Sequence, residues 1–484
     1  MHLLRAILLP LLFTSSTLAK PEPCNKCELH AAASVGNVRK LKKHLFRAES
    51  STQIINQPDK SGHTPLYFAA QNNHLAAVNL LLEQENIDVN AAPYDSGATP
   101  LFIAVQEGNT NIMKALLSAF ADPTILTTLG ISPLHAASFS PETGLLEPLL
   151  LSSQTVRQSV NLINPSNGHT CLQAAAAKGS LDNVKVLLTS DGGYTDCNVR
   201  VSTSGATALL YAVSTGKAEI VQYLLTACDG IDIHAGDSQG WTPFMTAARL
   251  GQTDIMSLLL EYKDTDSARS QILNHVTESN HQNALIVATH AVQIHAVQFL
   301  LQQEQTDVSY TVAGGWNALI VACEIGSVEI VRLLLNTNDQ NARALRNNGW
   351  SALHQACNGG FSDIVRILLK HTNTNIINLE GTDHHTPLSL AAWNNHVDCV
   401  QLLINDGRAE LNKQIDGQKG RTALHMAAQE GNVEVVKALS NSKRINITLM
   451  SHDRSTPLDS ARSNDRHEVE RYLSRLMFER EREL

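Results

Sequence analysis

Short segments of helical length recur in pairs along the chain, and each pair repeats one pattern of apolar and polar positions. The first member resembles "TPLYFAAQ" at 64–71, where a Pro-Leu step precedes a pair of alanines. The second resembles "EIVQYLL" at 219–225 and "EIVRLLL" at 329–335, which share one apolar spacing with a polar residue facing water. The pattern predicts two short helices per pair, joined by turns.

The pairs lie in register over most of the chain. A Thr-type residue opens the first helix of each pair, at 64, 99, 132, 170, 207, 242, 283, 317, 351, 386, 422 and 456. Successive markers are 33 to 41 residues apart, and an earlier copy starts at Cys27, which makes thirteen copies.

Each position of the motif has a physical role. Thr64 is suited to cap the helix, and Pro65 suits the first turn because its missing N–H would be unpaired there. Leu66 is expected in the core, and Ala69 and Ala70 keep the helix thin enough for a neighbour to approach. Left-handed helix-ending residues are expected at Gly108, Gly179, Gly216, Gly251, Gly326 and Gly431, and at Asn73 and Asn395.

A period near 33 residues with the pattern T-P-L-H-x-A-A is the ankyrin signature, and the chain resembles the ankyrin-repeat family from about Cys27 to Leu476. The resemblance implies an all-α solenoid of about thirteen helix-turn-helix units, residues 27–476, with short β-hairpin-like loops. It also implies that the concave face and the hairpin row bind a partner protein.

Three units depart from the pattern. The fourth, between Ser132 and Thr170, and the seventh, between Thr242 and Asn283, are longer, so we expect loop insertions after their second helices. The eighth has His281 and Val292 where other units have glycine, which makes it the least regular copy.

The N-terminus has the features of a secretory signal peptide. Residues 1–19 combine Arg5, an apolar stretch at 6–13 and a small-residue end at Ala19. The stretch is shorter than the ~20 residues of a membrane-spanning helix, although an uncleaved anchor or a core helix is the alternative. We expect a short segment at 20–26, no membrane span in the mature chain, a charged tail at 477–484, and a periplasmic or secreted monomer.

The charge balance points away from nucleic acid. The net charge is −9, with 43 % hydrophobic and 17 % charged residues, whereas nucleic-acid-binding domains are usually basic. A local exception is the second helix of the first unit, with Arg39, Lys40, Lys42 and Lys43. It is interpreted either as a polar end cap or as a docking site for an acidic partner.

No constellation of residues indicates catalysis, a metal or a cofactor. Motifs of the H-E-x-x-H, G-x-S-x-G and phosphate-loop types are absent from the sequence. His384 and His385 alone are too few for a metal site. The resemblance implies structural hydrogen bonds for the histidines at the fourth motif position, which are His30, His135, His354 and His425.

The cysteines have two expected roles. Cys24 and Cys27 follow the predicted cleavage site and are candidates for a disulfide in an oxidising compartment. Cys323 and Cys357 occupy one motif position in adjacent units, and packed helices lie roughly 8–10 Å apart. That exceeds the roughly 4.4–6.8 Å between the Cα atoms of a disulfide, so both are expected to be buried and unbonded, in a framework that does not depend on disulfides.

The four tryptophans occupy variable positions. Trp241, Trp316 and Trp350 follow the motif glycine, and Trp393 follows an Ala-Ala pair. The resemblance implies that both positions face a partner, where tryptophan is a frequent hot spot; packing across neighbouring hairpins is the alternative. The predicted protein-binding residues are Trp241, Trp316, Trp350, Trp393, Arg249, Glu324, Arg421 and Gln429.

These features together predict an exported, non-catalytic scaffold that binds a partner protein. Two alternatives stay open. One is an effector delivered to a host cell, because the chain's Asn- and Gln-rich character resembles ankyrin-repeat proteins of bacterial pathogens. The other is an enzyme or metal-dependent module hidden within the repeats.

Overall fold

The structure is a computed structural model that describes residues 28–47, 54–190, 192–262, 265–337, 342–371 and 374–483. The predicted signal peptide at 1–19, the segment at 20–26 and the candidate disulfide between Cys24 and Cys27 lie outside the described residues. The chain forms two compact units, which are described separately. The N unit is Met1–Ala247 with Ser257–Tyr262, and the C unit is Ala248–Met256 with Lys263–Leu484.

The described residues form thirteen successive helix pairs, which we number as repeats 1 to 13. In the N unit, the helix pairs of repeats 1 to 6 are, in order, Glu28–Ser34 with Val38–Arg47, Pro65–Gln71 with Leu75–Leu82, Pro100–Gln106 with Thr110–Ser118, Pro133–Phe139 with Leu146–Ser152, Cys171–Lys178 with Leu181–Thr189, and Ala208–Ser214 with Ala218–Ala227. The division between the units runs through repeat 7, whose helices are Pro243–Leu250 and Thr253–Glu261. In the C unit, the helix pairs of repeats 8 to 13 are, in order, Ala284–His290 with Ile294–Leu301, Ala318–Ile325 with Val328–Thr337, Ala352–Gly359 with Ser362–His371, Pro387–Trp393 with Val397–Asp406, Ala423–Glu430 with Val433–Ser440, and Pro457–Ser463 with His467–Glu483.

The first helices begin and end as the motif predicts. The hydroxyl of Thr64 accepts a hydrogen bond from the Tyr67 amide at 3.3 Å, and Pro65 occupies the first turn. Asn283 replaces threonine in repeat 8, where its side-chain oxygen caps the Ile286 amide at 3.0 Å. All of the predicted helix-ending glycines and asparagines have positive φ. Local capping therefore sets the helix bounds.

The core consists of the faces that successive helices present to one another. The first helix of repeat 2 packs on those of repeats 1 and 3. Leu66, Ala69 and Ala70 at that contact are fully buried. Burial of one leucine stabilises the fold by roughly 1.5–3 kcal/mol, and the small alanines permit the close approach of the helices. The prediction of an all-α repeat solenoid is confirmed.

The connections between repeats are hairpin-like turns. Within the described ranges there are no strands, and isolated antiparallel bridges at Val312–Trp316, Leu345–Ser351 and Ile415–Arg421 close three of the turns. Behind the turns, asparagines join neighbouring repeats. The Asn198 side chain donates to the Gly230 carbonyl at 3.0 Å and accepts from the Asp232 amide at 2.8 Å.

The extra residues of repeats 4 and 7 form helices, so the expectation of loops was wrong. Repeat 4 continues into Gln154–Gln158 and a 3-10 turn, and repeat 7 continues into Asp266–Asn274. Ser153 and Thr265 cap the two helices, because each hydroxyl accepts an amide three residues further on. Apolar side chains anchor both insertions, and one of them is Ile272, which is buried. Repeat 4 also has a longer connection between its two main helices.

Repeat 8 keeps the fold without its glycines. His281 and Val292 adopt φ values of 52° and 56°, in the left-handed region that glycine otherwise fills. A β-branched residue is rarely found there. Packing within the C unit therefore imposes the backbone conformation of the repeat, although the local sequence opposes it.

A disulfide that the sequence analysis did not identify joins Cys197 to Cys228 in the N unit, with Cα atoms 6.3 Å apart. Cys197 lies beside Asn198, so the covalent bond reinforces the hydrogen bonds between repeats 5 and 6. Cys323 and Cys357 are buried and unbonded, as predicted. At the other end of the chain, the last helix, His467–Glu483, extends into the predicted charged tail.

Candidate protein-binding surface

The hairpins of repeats 9 and 10 hold Trp316 and Trp350 in equivalent positions. The Val312 amide donates to the Trp316 carbonyl at 2.9 Å, and the Arg346 amide donates to the Trp350 carbonyl at 2.8 Å. Gly315 has a φ of 79°, and a Cβ there would lie 2.7 Å from the Cα of Arg346. The glycine before each tryptophan therefore allows neighbouring hairpins to approach closely, which explains the recurrent Gly-Trp pair.

Arg346 lies between these two tryptophans. Its Cζ is 3.8 Å from the ring centroid of Trp316 and 5.9 Å from that of Trp350. Partial burial lowers the pKa of the Arg346 guanidinium, and the nearby Glu324 carboxylate opposes this shift. Cation–π contacts contribute about 0.5–2 kcal/mol, depending on their exposure. Trp316 and Trp350 thus pack across neighbouring hairpins through a shared cation.

Trp350 extends the arrangement to repeat 11. Its Nε1 donates to both carboxylate oxygens of Asp383, at 3.1 and 3.2 Å. Asp383 also accepts a hydrogen bond from the His385 amide at 3.2 Å. The carboxylate therefore fixes the orientation of the Trp350 ring and the start of the next hairpin.

Trp393 is the most exposed of the tryptophans for which the structure gives a position. Its side chain is 39 % exposed, whereas Trp241, Trp316 and Trp350 are half-buried. The ring packs against His385, with centroids 4.9 Å apart. Because the preceding alanine pair is fully buried, the Trp393 ring projects away from the core.

His385 links the exposed tryptophan to the rest of the surface. Burial lowers the pKa of His385, and the Asp383 carboxylate opposes this shift. Gln418 approaches the His385 ring at 3.5 Å from the hairpin of repeat 12. We call the connected series the tryptophan ladder, which consists of Trp316, Arg346, Trp350, Asp383, His385 and Trp393.

The predicted residues of repeat 12 form a polar group next to the ladder. Arg421 donates to the Gln429 side chain and approaches Asp453 at 3.7 Å. The hydroxyls of Ser451 and Ser455 hold the pKa of the Asp453 carboxyl well below its usual range. Arg421 and Gln429 are thus oriented by their own contacts within the C unit.

The structure brings some of the predicted residues together and separates others. Glu324 is exposed and acts electrostatically on Arg346 and on His290. Trp241 belongs to the N unit, where its amide donates to the Asp237 side chain at 3.0 Å. Arg249 lies in repeat 7, in the part assigned to the C unit. The assignment of these side chains to partner binding stays a prediction.

Sequence reasoning did not identify Arg346, and it considered Asp383 and His385 only as part of a weak metal-binding cluster, not as part of this surface. A signal was present at Arg346, which occupies the hairpin position that holds Asp59 in repeat 2 and Asp237 in repeat 7. Those carboxylates accept amide hydrogen bonds of their own hairpins. Arg346 puts a positive charge at this position, next to two hairpins that carry tryptophan. This charge indicates a contact other than the amide hydrogen bonds that the carboxylates accept.

The motif histidines make the structural hydrogen bonds that were expected. The ring of His135 lies 2.8 Å from the Leu162 carbonyl, and that of His425 lies 3.0 Å from the Ser455 carbonyl. Burial lowers the pKa of His354 to about 4, so its ring is neutral at neutral pH. Among the described residues, no group of three or more His, Cys, Asp or Glu side chains is placed to hold a metal ion.

None of the helices within the described ranges combines the length and the hydropathy required to cross a bilayer.

A family model described as ankyrin repeats (3 copies) matches residues 29–127, 134–237, 194–270, 229–312, 266–344, 336–415 and 408–478. These matches span most of the chain, and each one overlaps more than one of the helix pairs. The chain belongs to the ankyrin-repeat family. Repeats of this family are in general protein-binding scaffolds without catalytic activity.

Several curated proteins are similar to parts of the chain. The Caenorhabditis elegans ankyrin repeat and KH domain-containing protein mask-1 is 29 % identical over 218 residues, which cover 45 % of this chain and 8 % of the relative. The human transient receptor potential cation channel subfamily A member 1 is 25 % identical over 485 residues, 85 % of this chain and 42 % of the channel. Alpha-latrocrustotoxin-Lt1a of Latrodectus tredecimguttatus is 35 % identical over 92 residues, 19 % of this chain and 6 % of the toxin. The chain therefore spans less than half the length of these relatives.

Proposed function

We propose that the protein is an exported, non-catalytic scaffold that binds a partner protein through the tryptophan ladder and the adjoining polar residues of repeat 12. The observation that carries this proposal is the position of Trp393. Its ring is largely apolar, projects from a fully buried alanine pair and remains substantially exposed. Exposed tryptophans held in a fixed orientation are typical anchors of protein interfaces.

The ladder gives this anchor a preorganised setting. Contacts with Arg346, Asp383 and His385 fix the neighbouring aromatic rings before a partner arrives. Binding then orders few side chains, each of which would otherwise cost about 0.5–1.5 kcal/mol. The partner therefore meets a rigid surface.

The surroundings of Trp393 define the kind of partner surface. Asn394 donates to the side-chain oxygen of Asn358 at 3.0 Å, and both residues are exposed. Arg421 and Gln429 add polar groups from repeat 12. We infer that the partner is a folded protein that inserts an apolar group beside Trp393 and offers hydrogen-bonding groups around it.

The expected absence of catalysis is part of the proposal. The buried motif histidines are engaged in structural contacts, and their lowered pKa values keep them neutral. His384 and His385 are the residues that a hidden metal-dependent activity would use. An activity screen with divalent metals supports that alternative only if turnover disappears in the double variant His384→Ala/His385→Ala.

The proposed location is outside the cytoplasm, in the periplasm or the medium. Two observations support it, the signal-peptide pattern at 1–19 and the Cys197–Cys228 disulfide, because disulfides persist mainly in oxidising compartments. Recovery from the medium of a chain that begins at Lys20 supports release. Detection of the chain inside host cells instead supports delivery as an effector.

The binding proposal is tested with Trp393→Ala. Affinity capture with the chain identifies a partner, and titration then measures its Kd for each variant. We expect Trp393→Ala to weaken binding at least about 30-fold, which corresponds to a hot-spot loss of ~2 kcal/mol. Tyr94→Ala is the matched control, because Tyr94 is 92 % exposed in the N unit. Full affinity of Trp393→Ala for the captured partner would show that the binding surface lies elsewhere.

A further inference from the structure

The second helix of repeat 1, Val38–Arg47, has one strongly basic face. Arg39, Lys40, Lys42 and Lys43 are exposed, and Phe46 is 86 % exposed beside them. Arg39, Lys42, Lys43 and Phe46 are spaced as neighbours on one side of a helix. The opposite side buries Leu41 completely. We call these five exposed residues the basic stripe.

A polar end cap does not account for this stripe. The last helix of the chain caps the other end with mixed charges, where Arg475 pairs with Glu479 at 2.8 Å and Arg462 with Glu470 at 3.0 Å. The helix Val38–Arg47 contains no acidic residue. In repeat 1, the carboxylate of Glu28 pairs with His44 at 3.2 Å, outside the stripe. The last helix also exposes Phe478, so the feature that sets the stripe apart is its single sign of charge, which capping does not require.

We propose that the basic stripe docks the protein on an anionic phospholipid surface. The cations would meet the headgroup phosphates, and Phe46 would enter the boundary of the acyl chains, as in other interfacial amphipathic helices. Each Lys or Arg close to an anionic bilayer strengthens binding by about fivefold. The four cations together predict a preference on the order of 600-fold for anionic over neutral bilayers.

An acidic protein is the competing partner, and Phe46 distinguishes the two. Carboxylates alone would pair with the cations but would leave the phenylalanine ring in water. A bilayer satisfies both parts of the stripe, since its charged and apolar layers are adjacent. The inference is independent of the partner proposed for the tryptophan ladder.

The test is flotation of the full chain with vesicles. One set contains phosphatidylglycerol and phosphatidylcholine in equal amounts, and the other contains phosphatidylcholine alone. The readout is the ratio of the two partition coefficients, measured at limiting lipid and compared between variants that all share the apolar stretch at 6–13. We expect a high ratio that falls with salt and drops at least tenfold in the triple variant Arg39→Glu/Lys42→Glu/Lys43→Glu.

A matched control changes the charge equally at a different place. Arg332, Arg366 and Lys370 are exposed on the second helices of repeats 9 and 10, and their reversal to Glu should leave the ratio within about twofold. Circular dichroism checks that both triple variants are folded. Phe46→Ala, which keeps the charge, should lower anionic binding several-fold.

Three results would overturn the proposal. The first is an anionic-to-neutral ratio near one for the unaltered chain. The second is an equal loss in the control variant, which would indicate an effect of net charge alone. The third is binding of soluble polyglutamate as tight as vesicle binding, lost in the stripe variant and unaffected by Phe46→Ala, which would identify an acidic protein as the partner.

Discussion

Val292 offers a direct measure of how much strain the repeat fold imposes on its irregular copy. Its φ of 56° places a β-branched residue in the left-handed region, which costs an L-residue about 1–2 kcal/mol. The side chain is 49 % exposed, so little burial is lost on substitution. Asparagine tolerates this conformation and adds less freedom to the unfolded chain than glycine does. We therefore expect Val292→Asn to stabilise the C unit by about 1 kcal/mol.

The assay is urea unfolding followed by circular dichroism, with hydrogen exchange to locate the effect in repeat 8. The midpoint should rise while the slope stays unchanged. Val35→Asn is the control, because Val35 is 67 % exposed without a positive φ. In the reverse direction, Gly326→Val should destabilise the C unit, since the φ of Gly326 is 77° and an added Cβ would lie 2.5 Å from the Phe361 ring. An unchanged or lower midpoint for Val292→Asn would refute the strain argument.

Two further predictions concern the N unit and the response to pH. The Cys197–Cys228 disulfide joins two residues that are 31 positions apart in the sequence. Its reduction should destabilise the N unit by about 3–4 kcal/mol, because the unfolded chain regains the entropy that the closed loop had removed. Urea unfolding with and without dithiothreitol measures this, and the double variant Cys197→Ser/Cys228→Ser should not respond to the reductant. The pKa of buried His354 is about 4 in the folded chain, below its value of 6.5 in the unfolded chain. As the pH falls from 6.5, the unfolded chain therefore binds a proton at this residue before the folded chain does. Stability is thus full above pH 6.5 and should decrease by about 3 kcal/mol toward pH 4. His354→Gln should reduce this slope, and an unchanged slope would contradict the assignment.

The helices were predictable because their determinants are local. Thr64 and Pro65 start a helix, and Ala69 and Ala70 mark its packed face, in a pattern that recurs with a nearly constant period. Repeat 8 folds although His281 replaces a glycine, because neighbouring repeats supply packing that local propensity does not.

The features that the sequence did not reveal depend on contacts between repeats. Cys197 and Cys228 occupy different positions of their repeats, so comparison of equivalent positions cannot pair them. The exposure of Trp393, by contrast, was indicated by its place after two alanines. The contact of Arg346 with two rings depends instead on the direction of one long side chain.

The bridge between repeats 5 and 6 also has a mechanical consequence. Tension applied to the ends of a repeat array separates repeats successively, because each one is held mainly by its neighbours. The segment from Cys197 to Cys228, a sequence separation of 31, cannot extend while the sulfurs are bonded. At about 3.5 Å per residue, the bond withholds roughly 100 Å of contour, so a stretched molecule would remain shorter until the bond is reduced.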